Sequence, residues 1–114
     1  GDGDLSGKVL LLDEPTSALD LAHQHQVLRV AKEVAARGAA VLTVLHDLNL
    51  ASQYADRLVV MHQAKAVSNG SPDDVLQPCI IRRVYGVRAV VQPHPELKCP
   101  LVSTMAGKEA RELV

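Results

Sequence analysis

The sequence predicts an α/β fold with parallel strands and flanking helices, and three observations lead to this prediction. Short aliphatic runs occupy residues 8–13, 40–45 and 57–61, as is typical of buried strands. Helical periodicity separates the first two runs, and a shorter helical segment separates the second from the third. Strands and helices therefore alternate over about 55 residues, which is the order expected for a parallel sheet.

The composition is that of an ordinary globular domain. The chain has 114 residues, of which 47% are hydrophobic and 22% are charged. This length corresponds to one domain at most. The formal net charge is -1, so no bulk attraction to nucleic acid or to an anionic membrane is expected. Aliphatic side chains must form the core, because the sequence has two Tyr and no Phe or Trp.

The first strand and the first helix are predicted over residues 8–13 and 21–37. The unbroken aliphatic run that ends in Asp13 is typical of a strand buried on both faces. Asp20 is a favourable N-cap for the helix, and Gly38 is a favourable residue just after its end. The apolar positions that share one face of this helix are Val27, Leu28, Ala31, Val34 and Ala35.

Turn residues determine most of the elements predicted after the second strand. The first of these are a helix over 48–55 that Asp47 caps, the strand over 57–61, and a strand over 66–68 that turns at Asn69-Gly70. A helix then begins at Ser71 and is closed by Pro78, and a second helix over 79–85 is ended by Gly86. Strands over 87–91 and 101–103 are predicted to pair as a hairpin. Residues 1–7 are predicted to be a loop. For residues 105–114 a loose helix and a disordered tail both stay open.

Two adjacent carboxylates, Asp13 and Glu14, stand at the carboxyl end of the first strand. Ligands bind at this end of the strands in open α/β sheets. Because side chains alternate along a strand, the two acids face different neighbours and can take different roles. Asp13 can hold Mg²⁺ through water, and Glu14 can polarise a water molecule that attacks a phosphate. This arrangement resembles the Walker B segment of P-loop NTPases, although two solvated acids at a surface strand end would show the same residues.

His46 directly follows the second predicted strand. Two adjacent parallel strands would place Asp13, Glu14 and His46 on one rim of the sheet. An imidazole on that rim can donate a hydrogen bond to a phosphate oxygen. The alternative is a histidine at a strand end that local hydrogen bonds hold.

The segment Asp13-Glu14-Pro15-Thr16-Ser17-Ala18-Leu19-Asp20 closely resembles the Walker B segment and D-loop of ATP-binding cassette (ABC) ATPases. His46, 32 residues after Glu14, resembles the switch histidine of that family. The resemblance implies that Asp13 binds Mg²⁺, Glu14 is the general base and His46 contacts the γ-phosphate of ATP. It also implies a D-loop, which acts across a head-to-tail dimer and consists of Ser17, Ala18, Leu19 and Asp20. Asp20 can serve there and as the helix N-cap.

A narrower resemblance, over about residues 8–102, is to the hemin-import ATPases within the importer branch for haem, siderophores and cobalamin. The importer branch is indicated by residues 20–28, 45–51 and 54–57. The hemin type is indicated by His23 and His25 and by Met61-His62-Gln63, Gly86-Val87-Arg88 and Pro93-His94-Pro95. It implies ATP and Mg²⁺ as cofactors and a peripheral location on the cytoplasmic face of the inner (plasma) membrane. The implied partners are permease subunits, a second copy in a homodimer and, indirectly, a periplasmic binding protein, with no nucleic acid.

The remaining histidines and the cysteines receive no functional role. Residues two apart on a helix point about 200° apart, so His23 and His25 cannot share one ligand and are rejected as haem ligands. His62 and His94 are assigned no function. Cys79 and Cys99 are too few for a disulfide scaffold and are predicted to be reduced thiols.

Several motifs of the ABC family are missing from the sequence. It has no Walker A loop, no Gln-loop and no complete signature loop, and Leu5-Ser6-Gly7-Lys8 matches the start of the signature only by chance. Residues 1–114 are therefore interpreted as the C-terminal part of an ABC ATPase domain that begins just before Walker B. Without a phosphate cradle the chain alone is predicted to be inactive. It is also expected to expose strand edges and apolar faces.

Three functions follow from this interpretation. The first is an ATPase subunit, or a fragment of one, that powers import of hemin or a related iron chelate. The second is a truncated, non-catalytic remnant that only binds a permease or a full-length ATPase subunit. The third is a soluble ABC protein of DNA repair or translation, which the lack of sustained heptads disfavours.

Overall fold

The computed structural model describes residues 3–106, and strands and helices alternate over residues 9–62 as predicted. The elements are, in chain order, β1 (Val9–Asp13), α1 (Leu21–Ala36), β2 (Ala40–Val44), α2 (Leu48–Tyr54), β3 (Leu58–His62), β4 (Lys65–Gly70), α3 (Pro72–Val75), α4 (Pro78–Tyr85), β5 (Arg88–Pro93) and β6 (Pro100–Met105). The chain divides into two compact units, with the boundary between Leu50 and Ala51. Within residues 3–106, none of the helices has the length and apolarity that a membrane span requires.

The first unit is built around a parallel pair of strands. β1 and β2 pair in register from Val9 opposite Ala40 to Asp13 opposite Val44. The pairing extends past β1, because the Glu14 backbone N–H donates to the Val44 carbonyl oxygen at 2.9 Å. Parallel neighbours require a crossover connection, and α1 provides it. The predicted strand–helix–strand unit is therefore confirmed.

Both ends of α1 form as the sequence predicts. The Asp20 carboxylate accepts the backbone N–H of His23 at 2.9 Å and so caps the helix N-terminus. Arg37 is the last half-helical residue, and Gly38 follows it with φ +108°, in the left-handed region that favours glycine. A Cβ atom on Gly38 would lie 2.9 Å from Ser6 Oγ and 3.1 Å from the Ser6 backbone nitrogen. Gly38 therefore meets both a conformational and a steric requirement.

Gly38→Ala is expected to lower the free energy of unfolding by about 1–2 kcal/mol, because alanine resists this φ and its Cβ would press on the Ser6 backbone. Denaturant unfolding of the purified protein measures the effect. Gly3→Ala is the matched control, since no atom lies within 4 Å of a Cβ there. Equal stability of the Gly38 variant and the wild type would contradict the expectation.

The turn that precedes β1 is tied to the end of α1. The Leu5 N–H donates to the Arg37 carbonyl oxygen at 2.7 Å, and Ala40 N–H donates to that of Lys8 at 2.9 Å. The Ser6 hydroxyl and backbone N–H both donate to Asp4, and these bonds lower the pKa of the Asp4 carboxyl. Any stability from these bonds is present at neutral pH and is lost as the pH falls through the lowered pKa.

Only one face of the β1–β2 pair is covered within the described residues, which corrects the expectation of a strand buried on both faces. Side chains on one face are exposed, whereas Leu10, Leu12, Val41 and Thr43 on the other are half-buried. The exposed side chains are Val9, Leu11, Leu42 and Val44, with exposures of 78%, 66%, 61% and 42%. We call these four residues the open face. Helix α1 lies against β2, and a single helix can cover only one side of the pair.

The third strand departs from the predicted parallel arrangement. Within residues 3–106, β3 pairs only with β4, and the pair is antiparallel. The turn between them lies at Gln63 and Ala64, which have φ of 51° and 61°. Asn69-Gly70, where a turn was predicted to end the strand over 66–68, are the last two residues of β4. Two consecutive left-handed residues form the tight hairpin turn whose twist suits antiparallel strands. Neither residue is glycine or asparagine, so the usual sequence signal for this turn is missing.

The second unit confirms three further predictions and corrects two. Ser71 caps α3, and Gly86 ends α4 in the left-handed conformation with φ 70°. Pro78 does not close α3 but occupies the first turn of α4, a position that tolerates proline because the N–H there has no helical partner. Strands β5 and β6 form the predicted hairpin, and β6 extends to Met105. Met105 therefore belongs to a strand and not to the predicted tail, and residues 107–114 lie outside the described residues.

The core of the second unit is aliphatic, as the composition requires. Val75, Leu76 and Ile81 are almost completely buried, and Val60 and Val102 are also buried. The buried hydroxyl of Ser52 donates to the Pro100 carbonyl oxygen at 2.6 Å, which ties α2 to the start of β6. The connection between β5 and β6 is held by His94, whose Nδ1 accepts the N–H groups of Glu96 and Leu97, each at 3.1 Å.

Candidate functional site

The candidate site lies at the carboxyl end of the β1–β2 pair. Glu14 follows β1, and His46 follows β2. The structure brings them together, because Glu14 Oε1 and His46 Nε2 form a hydrogen-bonded pair. The side chains of His46 and Glu14 are 74% and 41% exposed, so the pair is open to solvent. A paired acid and imidazole at this edge can share, accept or donate a proton.

His46 is held in place by the start of α2. The Asp47 carboxylate accepts the N–H of Asn49 at 2.9 Å and that of Leu50 at 3.0 Å, so Asp47 caps this helix as predicted. The chain turns from β2 into α2 at this cap. His46 therefore stands between the end of a strand and a capped helix start, and both neighbours restrict its backbone.

Glu14 has an unusual backbone conformation. Its φ is 48°, in the left-handed region that residues with a Cβ rarely adopt. Such conformations cost about 1–3 kcal/mol and cluster at functional sites. The surrounding bonds maintain it: the Glu14 N–H donates to Val44, and its carbonyl oxygen accepts the N–H and hydroxyl of Ser17 at 3.3 and 3.2 Å. The chain thus turns sharply at the acid and redirects its side chain away from the strand alternation.

Asp13 is the last residue of β1 and lies opposite Val44, on the side of the strand pair that carries the open face. Its side chain is exposed, and within residues 3–106 it makes no hydrogen bond or ion pair. A carboxylate that is free of protein partners is a suitable oxygen ligand for Mg²⁺, which commonly binds one or two carboxylates and keeps several waters. The described residues contain no group of three or more His, Cys, Asp or Glu side chains placed to enclose a metal ion.

The loop between β1 and α1 folds back on the helix. The Thr16 carbonyl oxygen accepts the Leu19 N–H at 3.2 Å, and the Thr16 side chain is buried. Ser17 and Ala18 are exposed at the tip of the loop, Leu19 is half-buried, and Asp20 begins the helix. From α1, the Gln24 side-chain amide donates to the carbonyl oxygens of Thr16 and Leu19 at 3.3 and 3.1 Å.

His23 and His94 make local hydrogen bonds, and neither cysteine forms a disulfide. His23 Nδ1 lies 2.8 Å from Asp20 Oδ1, so this imidazole interacts with the helix cap and does not face His25. His94 holds the turn described above. Cys79 is exposed and Cys99 is half-buried, and both are free thiols.

Three features of the site were not predicted from the sequence: the left-handed Glu14, the direct Glu14–His46 contact and the Gln24 bonds to the loop. Gln24 lies four residues after the N-cap, in the first turn of the helix, where a long amide side chain can reach back to the preceding loop. That spacing was a usable signal for the third feature. The left-handed φ of Glu14 had no comparable sequence signal, because glutamate does not favour that region.

Comparison with known proteins identifies relatives of the chain. No protein-family model matches it. It is 57% identical over 100 residues to the hemin import ATP-binding protein HmuV of Vibrio vulnificus (strain YJ016), covering 87% of this chain and 38% of that protein. It is also 57% identical over 97 residues to the hemin import ATP-binding protein HmuV of Gloeobacter violaceus, covering 85% of this chain and 35% of that protein.

The fold also matches a solved structure. An inward-facing conformation of a metal-chelate type ABC transporter aligns with a TM-score of 0.73 at 22% identity, covering 94% of this chain and 42% of that one. The chain therefore spans well under half the length of the proteins that it matches. Its sequence is related to one part of the hemin import ATP-binding proteins, and its fold is that of one part of an ABC transporter chain.

Proposed function

We propose that residues 1–114 are part of the ATPase domain of an ABC importer subunit that couples ATP hydrolysis to uptake of hemin or a related iron chelate. The observation that carries this proposal is the Glu14–His46 pair at the carboxyl end of two parallel strands. The 57% identity to hemin import ATP-binding proteins supports the choice of substrate class. In this proposal the chain supplies the Walker B segment, the D-loop and the switch histidine.

Glu14 is proposed as the general base. Its carboxylate is half-exposed and can accept a proton at Oε1 from the water that attacks the γ-phosphate of ATP. The left-handed backbone at Glu14 aims this carboxylate toward the end of β2 rather than along β1. His46 Nε2 can donate a hydrogen bond to a γ-phosphate oxygen, so the Glu14–His46 bond must open when nucleotide is bound.

Asp13 is proposed to hold Mg²⁺, since its exposed carboxylate has no protein partner within residues 3–106. When bound, Mg²⁺ neutralises charge on the phosphate oxygens. Ser17, Ala18, Leu19 and Asp20 are proposed to form the D-loop that faces a second ATPase subunit in a homodimer. The exposed loop tip suits such a contact.

The other partners and the location follow from the same proposal. The subunit would bind integral membrane permease subunits, act indirectly with a periplasmic binding protein, and lie at the cytoplasmic face of the inner membrane. These 114 residues contain no Walker A loop, so we propose that they do not hydrolyse ATP by themselves.

The alternative function is a non-catalytic remnant that only binds a permease or a full-length ATPase subunit. The missing Walker A loop is the observation that favours it. Intact mass spectrometry of the native gene product, followed by an assay of its Mg²⁺-dependent ATP hydrolysis, separates the two. A mass well above 12.2 kDa with hydrolysis supports the ATPase subunit. A product of 12.2 kDa without hydrolysis supports the remnant.

A further inference from the structure

We propose that Gln24 is a positioning residue for ATP hydrolysis, because its side chain fixes the loop that connects Glu14 to Asp20. This inference rests on the proposed ATPase function. Gln24 is half-buried in the first turn of α1, and it does not lie among the residues that would touch nucleotide or metal in that proposal. Its effect on the reaction would therefore be exerted through the loop.

The contacts of Gln24 join two points of the loop. Its Nε2 atom donates to the Thr16 carbonyl oxygen at 3.3 Å and to the Leu19 carbonyl oxygen at 3.1 Å. The Gln24 backbone N–H donates to the Asp20 carbonyl oxygen at 2.9 Å, which fixes the base of the side chain in the helix. One rigid helical residue thus holds the loop both before and after its exposed tip.

The chemistry of the contact requires a primary amide. The Gln24 amide nitrogen carries two N–H donors, and each faces a carbonyl oxygen. Glutamate has nearly the same shape, but its carboxylate would place negative charge against two acceptors. Methionine has similar length and no donor. Either change would leave two partly buried carbonyl oxygens without this partner, so the loop would lose its side-chain attachment to α1.

The loop transmits this attachment to Glu14. The Glu14 carbonyl oxygen accepts both the N–H and the hydroxyl of Ser17, the residue directly after Thr16. The left-handed conformation of Glu14 persists only where the surroundings over-determine it. Gln24, by fixing Thr16, restricts the segment that holds Glu14 in this conformation. The general base is therefore positioned from one side by Val44 and from the other by the Gln24-braced loop.

The test is steady-state kinetics of the native gene product with Gln24→Glu and Gln24→Met. We expect kcat for ATP hydrolysis to fall about tenfold or more in both, because small misplacement of a catalytic group is costly. KM for ATP should stay within about twofold, since Gln24 contacts none of the residues proposed to act on the phosphates or Mg²⁺. Gln26→Glu and Gln26→Met are the matched controls, because Gln26 is exposed on the same helix and should tolerate both changes.

The outcomes distinguish this inference from the proposed function. Normal kcat in a folded Gln24→Met or Gln24→Glu protein, or a fall confined to KM, overturns the role of Gln24 and leaves the ATPase proposal intact. Equal loss in the Gln26 variants also overturns it, since the effect would then belong to the helix as a whole. Lack of hydrolysis by the wild-type gene product overturns both proposals. Thermal unfolding of each variant identifies any protein that has failed to fold.

Discussion

Replacing Glu14 by Gln should reduce ATP hydrolysis by the native gene product by a factor of about a hundred or more, the range that a general base supplies. Glutamine keeps the size of the side chain and can still hydrogen-bond His46, but its amide cannot accept a proton from water at neutral pH. Nucleotide binding should remain, because Glu14 is proposed to act on the attacking water and not to bind the phosphates. Single-turnover hydrolysis and nucleotide binding, measured on the same protein, test both parts.

The matched control for this substitution is Glu33→Gln. Glu33 is an exposed acid on α1, so the change removes the same charge away from the site. The free energy of unfolding of both variants should lie within about 0.5 kcal/mol of the wild-type value, as is common for substitutions of exposed side chains. Hydrolysis that survives Glu14→Gln at the wild-type rate would rule out Glu14 as the general base. A chain that is only a remnant would show no hydrolysis before or after the change.

Elements whose signals are local were predictable from the sequence. β1, α1 and β2 follow from two aliphatic runs, a capped amphipathic helix and Gly38, and each of these signals acts within a few residues. Placing Glu14 and His46 at one edge of the sheet needed only the rule that parallel strands share a carboxyl end. The same local logic located α4 and the β5–β6 hairpin.

The features that could not be predicted depend on which of several possible neighbours a strand pairs with or packs against, or on the backbone conformation of single residues. An aliphatic run such as β3 suits a parallel or an antiparallel neighbour equally. The β3–β4 turn at Gln63 and Ala64 contains neither the glycine nor the asparagine that is typical of such turns. The burial of β1 on one face depends on which elements cover it, and a strand's sequence does not specify them. The φ of Glu14 is imposed by its partners Val44 and Ser17, and single-residue preference argues against it.

Polar substitutions in the open face should have a second large effect. They should weaken self-association of the 114-residue chain, but they should destabilise a longer subunit in which this face is covered. Leu11 and Leu42 are register partners at its centre and are 66% and 61% exposed. Contiguous exposed aliphatic side chains favour association, because burying each leucine contributes about 1.5 kcal/mol or more. The 114-residue chain purified alone should therefore self-associate, and Leu11→Thr with Leu42→Thr should weaken that association by about tenfold or more. Threonine is well suited to strands, so the pairing of β1 with β2 should survive.

In the longer subunit proposed above, the same double substitution should be harmful. There the open face would be covered by the rest of the domain, and replacing two buried leucines by threonine would cost about 2–5 kcal/mol in unfolding free energy. Leu21→Thr is the control in both forms, since Leu21 is 76% exposed at the start of α1 and does not belong to the open face. Sedimentation of the 114-residue chain and unfolding of the native product measure the two effects. A wild-type 114-residue chain that is monodisperse and melts cooperatively as a monomer would show that its open face needs no cover. Stabilisation of the longer subunit by the double substitution would show that the face stays in water there too.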